Sequence, residues 1–186
     1  HLLRVRDLQA KTGGFTEFVI LPFIHMEAPI YLKGRARKGP TFREAILIHA
    51  VSRLALNPLF QNIQASWTKL GHEGVRACLQ AGVNDLGGTL MNETITRAAG
   101  ASHGQETSPE EMEKIIRSVG RLPRQRSTTY GEVANLQRQR SFGATTLVEP
   151  EYTSAKKYDR KKAGIKKELV RPGLLNEESL SSQDII

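Results

Sequence analysis

Hydrophobic and polar positions along this chain follow first a helical period, then a strand period, and then repeat the exchange. Leu2, Leu3, Val5 and Leu8 stand among charges in 1–11 and read as the end of an amphipathic helix, stopped at Thr12-Gly13-Gly14. The run from Phe15 to Ile24 is short, apolar and β-branched, the pattern of a buried strand. A loop rich in Gly, Pro and basic residues fills 25–40. Thr41 and Glu44 have the spacing of a capping box. The helix they open places Ala45, Ile48, Val51, Ser52 and Ala55 at three- and four-residue steps and ends at Asn57-Pro58. Ile63 to Trp67 predicts a second strand, Gly71 to Ala81 a helix closed by Gly82, and Val83 to Leu86 a third strand. Helix signals return over 92–99. A last helix starts at Ser108-Pro109-Glu110-Glu111, runs to about Val119 and stops at Gly120.

Strands alternating with helices imply an α/β fold with parallel strands and right-handed crossovers. Three strands cannot close a barrel, which needs eight strand–helix units. From about Arg121 the periodicity fades, and 141–186 reads as a poorly packed extension. With 186 residues, 39% of them apolar and 25% charged, the chain has the composition of a soluble globular domain. No stretch reaches the ~18 apolar residues of a membrane helix, and no membrane partner is expected. No secretory signal precedes the first helix, so the expected location is cytoplasmic. The chain opens on His1, without an initiator Met, inside a helical pattern, and an upstream part is therefore expected.

The formal net charge of +8 is unevenly spread. Residues 121–171 hold 13 Lys/Arg against 5 Asp/Glu, whereas 172–186 hold 3 acids and no base. A basic tail can bind nucleic acid or an acidic surface. No stacking aromatics alternate with its cations as single-strand binders use, so it reads as a solvated extension and no nucleic acid is expected.

Candidate chemistry gathers at strand ends, where parallel α/β folds place their ligands. His25 follows the first strand; a loop histidine bonded to backbone is the plainer reading. Gln64 and Ser66 share one face of the second strand, Ala65 and Trp67 the other, and Lys69 stands in the loop beyond. In Val83-Asn84-Asp85-Leu86-Gly87-Gly88-Thr89, the two glycines permit close backbone approach to a ligand. Asp85 can accept bonds from a substrate's amino or hydroxyl groups, and Asn92 and Glu93 open the next helix. A tight strand–helix turn capped by Asn92 explains the same residues. His49, His72 and His103 have no ligand spacing, and Cys78, the one cysteine, reads as a small buried apolar group.

The segments GGFTEFVILPFIHMEAPIYLKGRARKGPTFREA, NIQASWTKLGHEGVRACLQAGVNDLGGTLMNETITRAAGASHGQE and GRLPRQRSTTYGEV resemble the C-terminal part of the FO synthase family. Within it they are most similar to the tyrosine-using half, the 5-amino-6-(D-ribitylamino)uracil–L-tyrosine 4-hydroxyphenyl transferases. The likeness runs over 1–133, leaving 134–186 as a loosely ordered, irregular basic extension. The resemblance implies the C-terminal portion of a radical S-adenosylmethionine (β/α) TIM-type barrel, about three parallel strands with their helices. It implies S-adenosylmethionine and a [4Fe–4S] cluster as cofactors of the full-length enzyme, with L-tyrosine and the ribitylaminouracil as substrates. It also implies a fused or separate second radical half that completes FO, the precursor of coenzyme F-420.

The family's CxxxCxxC motif is absent, so this chain contributes no metal ligand, is expected to be inactive alone, and depends on an upstream part of its own barrel. By strand-end position within the matching motifs, His25, Gln64, Ser66, Lys69, Asp85, Asn92 and Glu93 fall on the substrate side. Phe23, Gly87, Gly88 and Thr89 fall on the cofactor side. A menaquinone-route enzyme of the futalosine type is the nearest alternative, and a non-catalytic binding module with a basic tail is the alternative of another class.

Overall fold

A computed structural model describes residues 1–90 and 92–145. Its elements run α1 (Leu2–Thr12), β1 (Phe18–Ile20), α2 (Pro29–Leu32), α3 (Phe42–Leu56), β2 (Ile63–Ala65), α4 (Trp67–Gln80), α5 (Ile95–Ala98), α6 (Pro109–Ser118) and α7 (Asn135–Phe142). The result is a helix-rich α/β arrangement around a small parallel sheet. β1 and β2 pair in parallel, with Phe18 beside Ile63, Val19 beside Gln64 and Ile20 beside Ala65. The third expected strand, 83–86, is reduced to one parallel bridge between Gln64 and Asp85. The cause is local. Asn84 Oδ1 accepts the Ile63 N–H at 2.9 Å, so a side chain takes the place of a ladder carbonyl.

The predicted capping box at Thr41 forms, and the helix start predicted at Ser108 proves to be a second one. Thr41 and Ser108 accept from the backbone N–H of Glu44 and Glu111, whose carboxylates return the bond to the cap residue's own N–H. Gly13 closes α1 in the left-handed region, its N–H on the Gln9 carbonyl at 2.8 Å. α4 begins earlier than the pattern predicts. Trp67–Leu70 form a first turn capped by Ser66, and Gly71 (φ 66°, ψ 177°) kinks the chain before the longer part. α5 is one turn where the pattern predicts helix over 92–99: Leu90 and Asn92 take positive φ, the helix starts only after Thr94, and the Glu93 carboxylate accepts the Thr96 N–H. Within the expected irregular extension, 135–142 forms a regular helix, α7, with no buried residue. The rest of the basic extension, 146–186, lies outside the described residues.

The inward face of α3 differs from the expected one. Ala45, His49, Ser52 and Leu56 are buried, whereas Ile48 and Val51 remain 40% and 42% exposed. Arg53 accounts for this rotation. Its Nε donates to the Gly82 carbonyl (2.7 Å), Nη1 to Phe60 and Gln61 carbonyls (3.2 and 3.1 Å) and Nη2 to Asn84 Oδ1 (2.7 Å). Charge-assisted bonds to four acceptors outweigh burial of two aliphatic side chains at the level of ~1.5–3 kcal/mol each.

The main apolar cluster packs α4 and α6 against one face of the sheet. It contains Ile63, Ala65, Trp67, Val75, Cys78, Leu79, Val83, Leu86 and Ile115. A second contact stacks Phe15 on Phe60, with Phe18 edge-on to the same ring. Gln64 lies on the opposite face of β2 from Ile63 and Ala65, as strand alternation requires. Among the described residues no helix is long and apolar enough to cross a membrane.

Candidate functional site

At the carboxyl ends of β1 and β2 the loops fold over one another and bring several of the singled-out residues together. The loop after β1 doubles back until Gly39 lies against the Phe23 carbonyl, where any Cβ would collide. His25 is half-buried, edge-on to the Tyr31 ring at 4.7 Å, and Phe23 is partly exposed beside it. The Glu27 N–H donates to the Ala99 carbonyl (3.0 Å), tying this loop to the one after the third extended segment.

The turn Ser66–Leu70 presents the next group. Ser66 Oγ and Thr68 Oγ1 lie 2.9 Å apart. Lys69 Nζ donates to Thr96 Oγ1 at 2.8 Å, and Thr96 Oγ1 in turn donates to Glu93 Oε1 at 3.2 Å. Both Glu93 carboxylate oxygens also accept the Thr96 N–H. A cation and an anion are thus joined through one buried hydroxyl. The Glu93 N–H donates to the Gln105 carbonyl (2.8 Å) and the Gln105 amide lies 3.5 Å from Asn92 Oδ1, which is exposed. Among the described residues no carboxylate approaches Lys69 Nζ within 4.0 Å.

Gly87, Gly88 and Thr89 follow the bridge residue Asp85. Gly87 has φ 74°, the left-handed region that favours glycine, and a Cβ there would also displace the Gln64 amide. Gly88 is different: it is exposed, with nothing within 4 Å of where a Cβ would stand, and its carbonyl accepts from Trp67 Nε1 at 2.9 Å. The Thr89 carbonyl accepts the Thr107 N–H at 3.1 Å.

Asp85 turns to the face of the sheet opposite the apolar cluster and meets the segment 121–132, which crosses that face as a strap. One Asp85 oxygen accepts the Gly87 N–H at 2.6 Å; the other is ion-paired with Arg126 Nε. Arg126 also lies over the Tyr130 ring at 4.0 Å, and the Tyr130 hydroxyl donates to Glu17 at 2.5 Å. Partial burial works against the Arg126 charge, but the bond to Asp85 and the nearby carboxylate charges raise its pKa above the usual arginine value. Tyr130 is raised well above an ordinary phenol, first by burial and then by the Glu17 and Asp85 carboxylates.

Pattern reading missed Glu17, Thr96, Arg126 and Tyr130. Thr96 and Arg126 act through contacts 27 and 41 positions away, which no local period records. The strap carries one usable signal. Ser127 and Gly131 bracket a tight turn, and the Gly131 N–H bonds Ser127 Oγ at 2.9 Å.

Cysteine chemistry is closed off. Cys78 is fully buried in α4, and burial pushes its thiol up to about 12, so no thiolate is available near neutral pH. Among the described residues no group of three His, Cys, Asp or Glu could hold a metal ion. These residues do not fit a [4Fe–4S] cluster, which takes several thiolates.

Comparison with known proteins follows the same segments. The family model described as CofH/MqnC C-terminal region matches residues 12–139. The chain is 53% identical over 133 residues to the FO synthase of Nocardia farcinica, covering 72% of this chain and 15% of that protein. It is 48% identical over 136 residues to the 5-amino-6-(D-ribitylamino)uracil–L-tyrosine 4-hydroxyphenyl transferase of Methanothermobacter thermautotrophicus, covering 73% and 37%. The corresponding transferase of Methanopyrus kandleri is 53% identical over 133 residues, covering 72% and 36%. The chain therefore spans well under half the length of these relatives.

Proposed function

This chain belongs to the CofH/MqnC C-terminal-region family, and from that premise we propose that it forms the substrate-side wall of an enzyme making the deazaflavin FO. That enzyme couples the 4-hydroxybenzyl group of L-tyrosine to 5-amino-6-(D-ribitylamino)uracil. The observation that carries the reading is the 48–53% identity to two 4-hydroxyphenyl transferases over more than 130 residues. It also favours this reaction over the menaquinone-route alternative that the family description spans. In this reading the parallel pair β1–β2 and the bridged third segment are part of a (β/α) barrel. The remaining strands and the cluster thiolates belong to the portion of the relatives that this chain does not cover.

Geometry supports a division of labour at the carboxyl edge. Lys69 and Glu93, opposite charges joined by the Thr96 hydroxyl, match the carboxylate and ammonium of a zwitterionic amino acid such as tyrosine. His25, Gln64, Ser66 and Asn92 are the neutral polar residues proposed to add to substrate binding from the same edge. Phe23, exposed, and Gly88, with open space where a Cβ would stand, are the residues this chain would offer to S-adenosylmethionine, which supplies hydrogen-abstraction chemistry when bound. This chain's own contribution is orientation, because in such chemistry the placement of tyrosine decides which bond breaks.

The test uses the full-length enzyme carrying this chain, cluster-loaded under anaerobic conditions, with tyrosine, the ribitylaminouracil and S-adenosylmethionine. Coupled product should appear in mass spectra in step with 5′-deoxyadenosine. Steady 5′-deoxyadenosine formation with no tyrosine-derived product would refute the assignment.

A further inference from the structure

Asp85 is the residue that strand-end position marks for substrate, yet its two oxygens have partners within the chain. Its side chain is 5% exposed and the Arg126 side chain 27% exposed, so the pair is largely shielded from water. Arg126 is held from three further sides. Its Nη1 donates to the Ser127 carbonyl (3.1 Å), its Nη2 stands 3.5 Å from Glu17, and its guanidinium stacks on Tyr130. Tyr130 itself occupies the left-handed region at φ 64°, a conformation non-glycine residues adopt at a cost. The turn enforces it: the Tyr130 N–H bonds the Ser127 carbonyl (3.1 Å) and the Ser127 N–H bonds the Gly131 carbonyl (3.0 Å). The strained residue is the one whose ring and hydroxyl fix Arg126 and Glu17.

From Arg126 a continuous path leads to the glycine turn. Arg126 pairs with Asp85, the other Asp85 oxygen holds the Gly87 N–H, and the next carbonyl, of Gly88, is held by Trp67. We propose that Arg126 is a positioning residue: clamped by Tyr130 and Glu17, it orients the Asp85 carboxylate and thereby sets the conformation of the Gly87–Gly88–Thr89 turn. What that turn faces rests on the proposed function; the clamp does not. Without Arg126, a shielded carboxylate would lack its counter-charge and would reorient toward water. That change loosens its hold on the Gly87 N–H.

The experiment compares Arg126→Met, Arg126→Lys and Tyr130→Phe in the full-length enzyme, with two readouts. Amide hydrogen exchange resolved to single residues should rise at Gly87 in Arg126→Met by about tenfold or more while β1 amides keep their protection. The KM for S-adenosylmethionine should rise by about tenfold, more than kcat falls. Arg126→Lys should restore part of both effects, and Tyr130→Phe should show a smaller change in the same direction. Unchanged exchange at Gly87 would overturn the proposal. So would exchange that rises equally in β1 together with a lowered melting temperature, because the strap would then support the fold as a whole. Selective exchange at Gly87 in an enzyme with no S-adenosylmethionine-dependent activity would uphold the clamp and refute the functional reading.

Discussion

At the amino ends of β1 and β2 the arginines bond several acceptors of the chain itself; at the carboxyl ends the one lysine, Lys69, bonds a single hydroxyl. Below the sheet, Arg53 satisfies four acceptors and Arg121 Nη1 donates to the Val83 carbonyl (2.7 Å), while across the sheet's face Arg126 is closed in by Asp85, Glu17 and Tyr130. Above it, Lys69 donates to one hydroxyl, Asn92 is exposed, and Gly88 is exposed with its carbonyl held by Trp67. Both ends are rich in polar residues, so composition does not separate them. What separates them is spare hydrogen-bonding capacity: a group whose bonds are complete holds the fold, and a group with donors left over can meet a ligand.

The largest expected effect tests the holding end. Replacing Arg53 by Met keeps the aliphatic stem and strands the part-buried carbonyls of Phe60 and Gly82. A loss of about 2–3 kcal/mol in unfolding free energy is expected, read from urea denaturation of the full-length enzyme. A change below about 0.5 kcal/mol would mean these bonds are replaced by water and the contrast between the ends is false.

Next in size is Lys69→Met at the other end. Coupled product should form about tenfold more slowly, equivalent to ~1.4 kcal/mol, while the denaturation midpoint shifts little. A variant as active as the parent, or one that loses stability in proportion to activity, would place Lys69 among the holding groups.

The smallest effect comes from α3, which spans the two ends. His49 is buried at its middle, with Nδ1 2.6 Å from the Ala45 carbonyl. Burial lowers its pKa, and the bond to Ala45 opposes this only in part. The unfolded chain therefore takes up a proton that the folded one resists. Stability is full above the ordinary histidine value of ~6.5 and is lost as pH falls below it. The expected decline sets in below about pH 6.5, with a slope that stays under ~1.4 kcal/mol per pH unit. It should flatten in His49→Gln when melting temperature is followed against pH, and an identical decline in both proteins would assign it elsewhere.

Much of the local structure was legible because it depends on neighbours in sequence. Thr41 with Glu44 and Ser108 with Glu111 announce helix starts, and Gly13 a helix end, by rules spanning a few residues. The face of α3 was not legible. Ile48 and Val51 satisfy helical spacing as well as His49 and Ser52 do, and the choice was made by Arg53, whose acceptors come from 60, 61, 82 and 84. The third strand failed for a similar reason, since an Asn84 side chain can replace a carbonyl without altering the apolar pattern. At the candidate site, strand-end position brought out Lys69 and Glu93 but not the Thr96 hydroxyl between them. It also brought out Asp85 without its partner Arg126. An ion pair across 41 residues leaves no mark in either local pattern.

The strap has a consequence for the order in which the molecule takes shape. Tyr130 and Glu17 are 113 positions apart, and Arg126 and Asp85 are 41 apart. On a chain emerging from the ribosome, β1, β2 and the glycine turn are all outside the exit tunnel before the residues that lock them exist as folded chain. The contacts that β1, β2 and α4 make with one another can form early, and on the clamp proposed above the turn is set only once the strap arrives. Because closing so long a loop costs only slowly growing entropy, the delay is one of timing more than of free energy. The nascent protein passes through an interval in which its walls stand and its floor is still being synthesised.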